Sequence, residues 1–194
     1  MKWKIFWDEK ISEIAKTSKS VLDVGGGNRF QKGMKEYEAL FSQADYKTLD
    51  NVPDYKPDII GDIKNIPLAD ASLDALICRA VLEHIDDPFK AVAEMHRVLK
   101  PGGKCLVSVP FLYPYHAEKG YYGDFYRFTA DGVKYMFRDF SKIEIFKVRG
   151  IFETIVNLFP VSPIRRFCRP IARILDNLLP SKNQTSGYNA YMIK

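Results

Sequence analysis

The chain has 194 residues, 46% of them hydrophobic and 27% charged, with a formal net charge of +5. This is the composition of one ordinary globular domain and excludes a disordered, collagen-like or low-complexity chain. The basic excess is small, compatible with anionic partners without demanding them.

At the N-terminus, "MKWKIFWDEK" carries lysines but no apolar core of signal-peptide length, so export is not expected. No run of about 18 apolar residues occurs anywhere, so no spanning helix is expected. Short apolar runs then alternate with helical patterns, which predicts an α/β fold with a parallel sheet and helices on its faces. "SVLDV" (Ser20 to Val24) predicts a first strand that ends at Gly25, Gly26 and Gly27. A short helix around "YEALF" follows a loop, then "YKTLD" (Tyr46 to Asp50) is a second strand and "DII" (Asp58 to Ile60) a third. "LDALIC" (Leu73 to Cys78) is the fourth and "KCLVSVP" (Lys104 to Pro110) the fifth.

Between the last two, "DDPFKAVAEMHRVLKPGG" has acids before Pro88, and proline suits a first helical turn. Its spacing puts Phe89, Val92, Met95 or His96, and Leu99 on one face, and Pro101-Gly102-Gly103 ends it. A helix capped by Thr129 is predicted to about Phe137, a strand over "KIEIFKV" (Lys142 to Val148) and a last strand over "YNAYMIK" (Tyr188 to Lys194). Residues 149–182 are expected to be irregular and helical. Cys78 and Cys105 sit in apolar runs as small core residues, and with Cys168 they form no C-x-x-C pair. That argues against a disulfide framework and a zinc site, and it places the chain in the reducing cytosol.

In open α/β sheets, ligands bind outside the carboxyl ends of the strands. The glycines, Asp50 and Asp62 all fall at predicted strand ends, hence on one rim. A dinucleotide fingerprint needs G-x-G-x-x-G, but Phe30 stands at the third glycine position, and no G-K-[ST] follows for a phosphate loop. Asp23, two residues before the turn, repels a pyrophosphate and attracts an ammonium or sulfonium. Asp50 is placed to accept both hydroxyls of a ribose. The ligand expected is a nucleoside with a cationic tail.

"VLDVGGG", "TLD", "IIGDIKNIPLADASLDALICRAVLEHIDDP" and "AEMHRVLKPGGKCLVSVP", in this order and spacing, resemble a class I S-adenosylmethionine-dependent methyltransferase of the small single-domain type. The resemblance covers about half of the chain, Val21 to Pro110. It implies a doubly wound, Rossmann-like sheet of seven strands, six parallel and one reversed, the reversed one being "YNAYMIK". It implies S-adenosylmethionine as cofactor and S-adenosylhomocysteine as product. Asp23, Gly25, Gly26 and Gly27 would line the methionine part, and Asp50 with Asn51 the ribose. Asp62 would accept from the adenine amino group beside Ile63, and Arg79 would approach the methionine end. Glu83-His84 resembles a signature of the family and is assigned to positioning the chain. No metal is expected, since His84 lacks ligand-like spacing.

Methyl transfer needs alignment of acceptor and methyl and, for an oxygen or nitrogen acceptor, a base. The aromatic stretch 111–128 follows the fifth strand as a substrate or lid loop. His116 is its candidate base, and Tyr113, Tyr115, Asp124, Tyr126 and Arg127 are its candidate acceptor contacts. The acceptor expected is a small molecule, a sugar or a lipid-linked intermediate. In 163–180, apolar residues at helical spacing alternate with Arg165, Arg166, Arg169 and Arg173, with Pro170 breaking or restarting the helix. Such a helix either lies peripherally on an anionic membrane or docks on its own domain, and docking is the expectation. Nucleic acid is not an expected partner, for the basic residues are dispersed. Two rivals remain: a binding module of the same fold without turnover, and a nicotinamide dehydrogenase, which Phe30 and Asp23 disfavour.

Overall fold

The computed structural model describes residues 2–31 and 33–194. Seven strands form one sheet: β1 (Ser20–Val24), β2 (Asp45–Asp50), β3 (Ile59–Ile60), β4 (Leu73–Arg79), β5 (Leu99–Pro110), β6 (Lys142–Val148) and β7 (Gly187–Ile193). Their order is β3-β2-β1-β4-β5-β7-β6. β7 runs antiparallel to both neighbours, and the remaining pairs are parallel. The order reverses between β1 and β4, which opens a crevice at their carboxyl ends.

Strand periodicity divides the apolar residues between two cores. Leu22, Val24, Leu76, Cys78, Cys105 and Val107 face one side. Val21, Ala75, Ile77 and Leu106 face the other. Each fully buried aliphatic contributes about 1.5–3 kcal/mol, so the central strands anchor both layers.

The first core is covered by helix α2 (Pro88–Val98) and helix α3 (Ala130–Met136). Asp87 caps α2, accepting from Lys90 N, and Thr129 caps α3, accepting from Gly132 N. The buried face of α2 is Pro88, Ala91, Val92, Met95 and Val98, which keeps Val92 and Met95 of the expected stripe and leaves out Phe89. Phe89 lies at the surface, half exposed, edge-on to Tyr135. The helix also ends sooner than its composition suggests. Leu99 is already extended, and β5 starts there instead of at Lys104. Pro101-Gly102-Gly103 forms an irregularity within the strand, where the pairing with β4 shifts register.

The second core is covered by an element absent from the sequence-based expectation, helix α1 (Lys2–Thr17). Trp7, Ile11 and Ile14, one face at helical spacing, are buried against the sheet. A 3-10 helix at Lys35–Phe41 adds Tyr37 and Phe41.

Residues 149–182 hold two packed helices, α4 (Ile151–Leu158) and α5 (Ser162–Leu178). α5 runs through Pro170 without the expected break. Docking of its apolar stripe is also not what is found. Ile164, Phe167, Ile171, Ile174 and Leu178 are 44–78% exposed, and Ala172 is the buried residue of the helix. Polar ties hold the pair instead. Asp176 accepts from Phe152 N and Glu153 N, and Arg173 Nε lies 2.9 Å from Glu153 Oε1. With its polar side spent on α4, the stripe is left facing outward. No helix among the described residues is long and apolar enough to cross a membrane.

Candidate active site

A cavity of about 300 Å³ opens at the carboxyl ends of β1, β2 and β4. Its first wall is the glycine turn. Gly25 holds φ at +68°, and its amide donates to Leu49 O at 2.7 Å. A Cβ at Gly25 would stand 2.3 Å from Val81 Cγ2. Glycine is therefore required both for the left-handed backbone and for close approach of the chain after β4. Behind the turn, Tyr46 Oη donates to Asp23 Oδ2 at 2.6 Å, and the Phe30 ring stacks on Tyr46 at 4.4 Å.

Asp50 ends β2 and is 6% exposed; its Oδ1 accepts from Val52 N at 3.1 Å. Asp62 caps the 3-10 helix at Ile63–Asn65 by accepting from Lys64 N, which fixes its carboxylate on the rim. Ile63 is buried, and with Leu49, Val81 and Ile85 it gives the cavity an apolar slot. A buried carboxylate beside an apolar slot and a tight glycine wall suits a nucleoside: hydroxyls to Asp50, base in the slot.

A family model described as a methyltransferase domain matches residues 22–107. Over this stretch the chain is similar to the class I S-adenosylmethionine-dependent methyltransferases. It is 46% identical over 50 residues to a probable S-adenosylmethionine-dependent methyltransferase of Mycolicibacterium smegmatis, covering 26% of this chain and 20% of the relative. It is 47% identical over 56 residues to the demethylmenaquinone methyltransferase of Renibacterium salmoninarum, covering 27% and 24%. These matches span a quarter or less of the relatives' own length. Among solved structures, the fold is similar to that of a SAM-dependent methyltransferase from Archaeoglobus fulgidus, with a TM-score of 0.60 at 15% identity over 99% of this chain and 100% of that one.

The segment after β4 carries the second half of the site. Leu82–His84 makes one 3-10 turn, and the Glu83 side chain on it is fully buried. The Glu83 carbonyl accepts from Phe125 N and Tyr126 N, and His84 Nδ1 lies 2.6 Å from Gly123 O. This turn therefore seats the 111–128 loop. The loop brings in His116, whose amide donates to Asp124 Oδ2 at 2.8 Å. His116 Nδ1 lies 3.0 Å from Pro114 O and 3.2 Å from Asp124 Oδ2, while Nε2 lies 3.6 Å from Glu83 Oε1. The Glu83 carboxylate is the largest influence on His116 and raises its pKa above the usual value, against the lowering effect of burial.

Arg127 grips Asp124 through both carboxylate oxygens and holds that acid well below the usual carboxylate range. Over the cofactor cavity, Tyr55 and Tyr122 both donate to Glu118 Oε2, and Tyr55 stacks on Tyr121 at 5.4 Å. The loop is thus tied both to the turn after β4 and to the segment after β2.

Gly25, Asp50, Asn51, Asp62, Ile63, Arg79 and His116 line the one cavity. Asp23, Gly26 and Gly27 do not: Asp23 lies behind the turn, where a Cβ on Gly26 would meet its Oδ2 at 2.8 Å. Tyr113 joins Arg79 and His116 in a second, adjoining cavity. Tyr115 is 77% exposed, Tyr126 Oη donates to Asp86 O at the surface, and Asp124 and Arg127 brace the loop. His84 does not stand alone, as its sequence spacing implied. Its ligand-type atom lies within 4.8 Å of those of Glu83 and His116. Sequence reasoning missed Tyr55, Val81 and Tyr122 as wall residues, and Glu83 as a site carboxylate. For Glu83 there was a signal: an acid set in the apolar run "AVLEHI".

Proposed function

We propose that this chain transfers a methyl group from S-adenosylmethionine to an oxygen or nitrogen of a small-molecule, sugar or lipid-linked acceptor. The observation that carries this reading is the pair of adjoining cavities that share His116 and Arg79. The first has the acceptors and the apolar slot for the nucleoside; the second leaves room for an acceptor molecule against the methyl end.

Asp50 would accept the ribose hydroxyls, Asp62 the adenine amino group, and Ile63 would pack on the base. Bound there, S-adenosylmethionine supplies a methyl already activated by its sulfonium. The protein's work is then alignment and proton removal. With its Nδ1–H donated to Pro114 O, a neutral His116 presents the Nε2 lone pair to the acceptor's O–H or N–H. The proton it takes leaves an imidazolium that Glu83 stabilises. The tyrosine roof of Tyr55, Tyr121 and Tyr122 screens the cofactor cavity from water.

The outward apolar stripe of α5 supports a second part of the reading. With Arg165, Arg166 and Arg169 on the same helix, α5 would rest on an anionic membrane surface, apolar side down. That placement favours a lipid-linked acceptor.

Calorimetric titration with S-adenosylmethionine, S-adenosylhomocysteine and NAD tests the cofactor assignment on the wild type and on Asp50→Ala. The expected result is binding of both sulfur ligands, a loss in the variant and no NAD binding. NAD binding, or an Asp50→Ala protein as tight as wild type, would overturn it. A screen for S-adenosylhomocysteine release over candidate acceptors separates an enzyme from a binding module: release with no acceptor tried would leave the module as the better reading.

A further inference from the structure

The second cavity, about 320 Å³, has its polar groups sorted by kind. On one side are donors. The indole N–H groups of Trp3 and Trp7 are buried and have no hydrogen-bond partner. The Arg149 guanidinium lies 5.7 Å from the Trp3 ring centroid, and its hydrogen bond goes to a neutral group, Ser186 Oγ, at 3.1 Å. Arg79 stands 5.3 Å from the Trp7 ring centroid. At the side shared with the cofactor cavity are acceptors: both carboxylate oxygens of Glu83, fully buried and without a hydrogen bond.

The placement of Arg149 is built in. It holds φ at +67° at the end of β6, a conformation disfavoured for a residue with a side chain. Burial lowers its pKa, and the acid that counteracts this, Glu153, has Oε1 committed to Arg173. Glu36, the other acid of this cavity, is paired with Lys4. Buried donors and acceptors in folded proteins find partners, so the natural partner of this wall is a bound molecule. A neutral one would leave two indole N–H groups and a desolvated guanidinium unanswered, and a cationic one would be repelled.

We propose that the second cavity takes an acceptor with an oxyanion at one end and a hydroxyl or amine at the other. A phosphate ester or carboxylate would meet Arg149, Arg79 and the two indoles, while the O–H or N–H meets Glu83 and His116. The proposal rests on the methyl-transfer reading for the role of the site. The Arg149 wall adjoins the start of α4, so a phosphate here can come from a soluble ester or from a lipid.

Calorimetric titration of the protein, with and without S-adenosylhomocysteine, against glucose 1-phosphate, glucuronate and glucose is the test. Either anion is expected to bind about tenfold or more tightly than glucose. Arg149→Gln should abolish that preference at unchanged S-adenosylhomocysteine affinity. Trp3→Phe keeps the ring and removes the N–H. It should weaken the anion severalfold at an unchanged melting temperature, which keeps the test alive if Arg149→Gln folds poorly. Equal binding of anions and glucose, no binding of either anion, or a preference that survives both variants would overturn the proposal. Loss of S-adenosylhomocysteine binding with the anion preference intact would overturn the methyl-transfer reading instead and keep the anion site. Decyl phosphate against inorganic phosphate settles the source: a gain of about tenfold assigns a lipid-borne phosphate, and equal affinity a soluble one.

Discussion

At Asp50 a carboxylate is held almost out of water at the end of a strand, a position that is costly unless hydroxyl or amide donors meet it. Asp50→Ala should weaken S-adenosylhomocysteine by about 30- to 100-fold, the equivalent of about 2–3 kcal/mol for hydrogen bonds to a charged group. Calorimetry reads this directly. His116 gives a prediction with a sign. As a base it must be neutral, and Glu83 raises its pKa, so kcat should climb with pH through a midpoint above the ordinary histidine value of about 6.5. His116→Ala should lower kcat by about 10²–10⁴-fold with S-adenosylhomocysteine binding retained. Glu83→Gln removes the charge that raises His116, so the rising limb should move to lower pH. A limb that stays in place in the Gln variant would mean that Glu83 does not act on His116. The close grouping of Glu83, His84 and His116 adds a control. If the three handle a proton, turnover after exhaustive chelation should stay within about twofold of the untreated enzyme. A large loss restored by added manganese or magnesium would assign the three to a cation.

Asp74 works between elements. Its Oδ2 accepts from Lys19 N, Ser20 N and Ser20 Oγ, and its Oδ1 lies 2.6 Å from Lys100 Nζ. It therefore joins the entry of β1 to β4 and β5. Lys100 and these donors hold its pKa well below the usual carboxylate range. Its contribution is present above the unfolded value of about 3.9 and is lost as pH falls through the lower folded value. Asp74→Ala should cost about 2–3 kcal/mol in urea unfolding at neutral pH, and the gap to wild type should narrow below about pH 4. The strands around Asp74 were legible because each is a short apolar run closed by a turn residue or an acid. The helices were less so. Trp7, Ile11 and Ile14 carry the period of α1, but charged residues between them mask it. In α2 both Phe89 and Pro88 fit an inward stripe, and it is Pro88 that is buried while Phe89 stays half exposed. In α5 the helix continues through Pro170, and its C-terminal half is tied to α4 by Asp176 and Arg173. The first cavity was legible since Gly25, Asp50 and Asp62 each end a strand of one sheet. The second was not, because Trp3, Glu83, Arg149 and Ser186 come from four distant segments that only the fold brings together.

For the whole molecule, the α4–α5 pair sets an orientation. Its exposed stripe is apolar, Arg165, Arg166 and Arg169 lie on the other side of the helix, and Asp176 is turned inward onto α4. Each basic residue near an anionic surface contributes about 1 kcal/mol, and Arg173 is paired with Glu153, so Arg165, Arg166 and Arg169 would supply at most about 3 kcal/mol before any apolar burial. The stripe residues add about 25 cal/mol for each Å² they bury. The sum would support at most reversible attachment, and its electrostatic part would be screened by salt. The full chain should therefore sediment with phosphatidylcholine vesicles that contain about a third phosphatidylglycerol, and not with phosphatidylcholine alone. Binding should fall steeply as salt rises past about 0.15 M. Phe167→Asp with Ile174→Asp places two charges on the stripe without touching α4. This variant should lose about tenfold or more of vesicle affinity at an unchanged melting temperature and unchanged S-adenosylhomocysteine affinity. Equal sedimentation with neutral and anionic vesicles would leave the arginines without a role. No sedimentation at low salt would overturn the membrane contact and leave the cofactor site standing, because Asp50 and its cavity lie on the β2 side of the sheet while α5 follows β6 at its far edge.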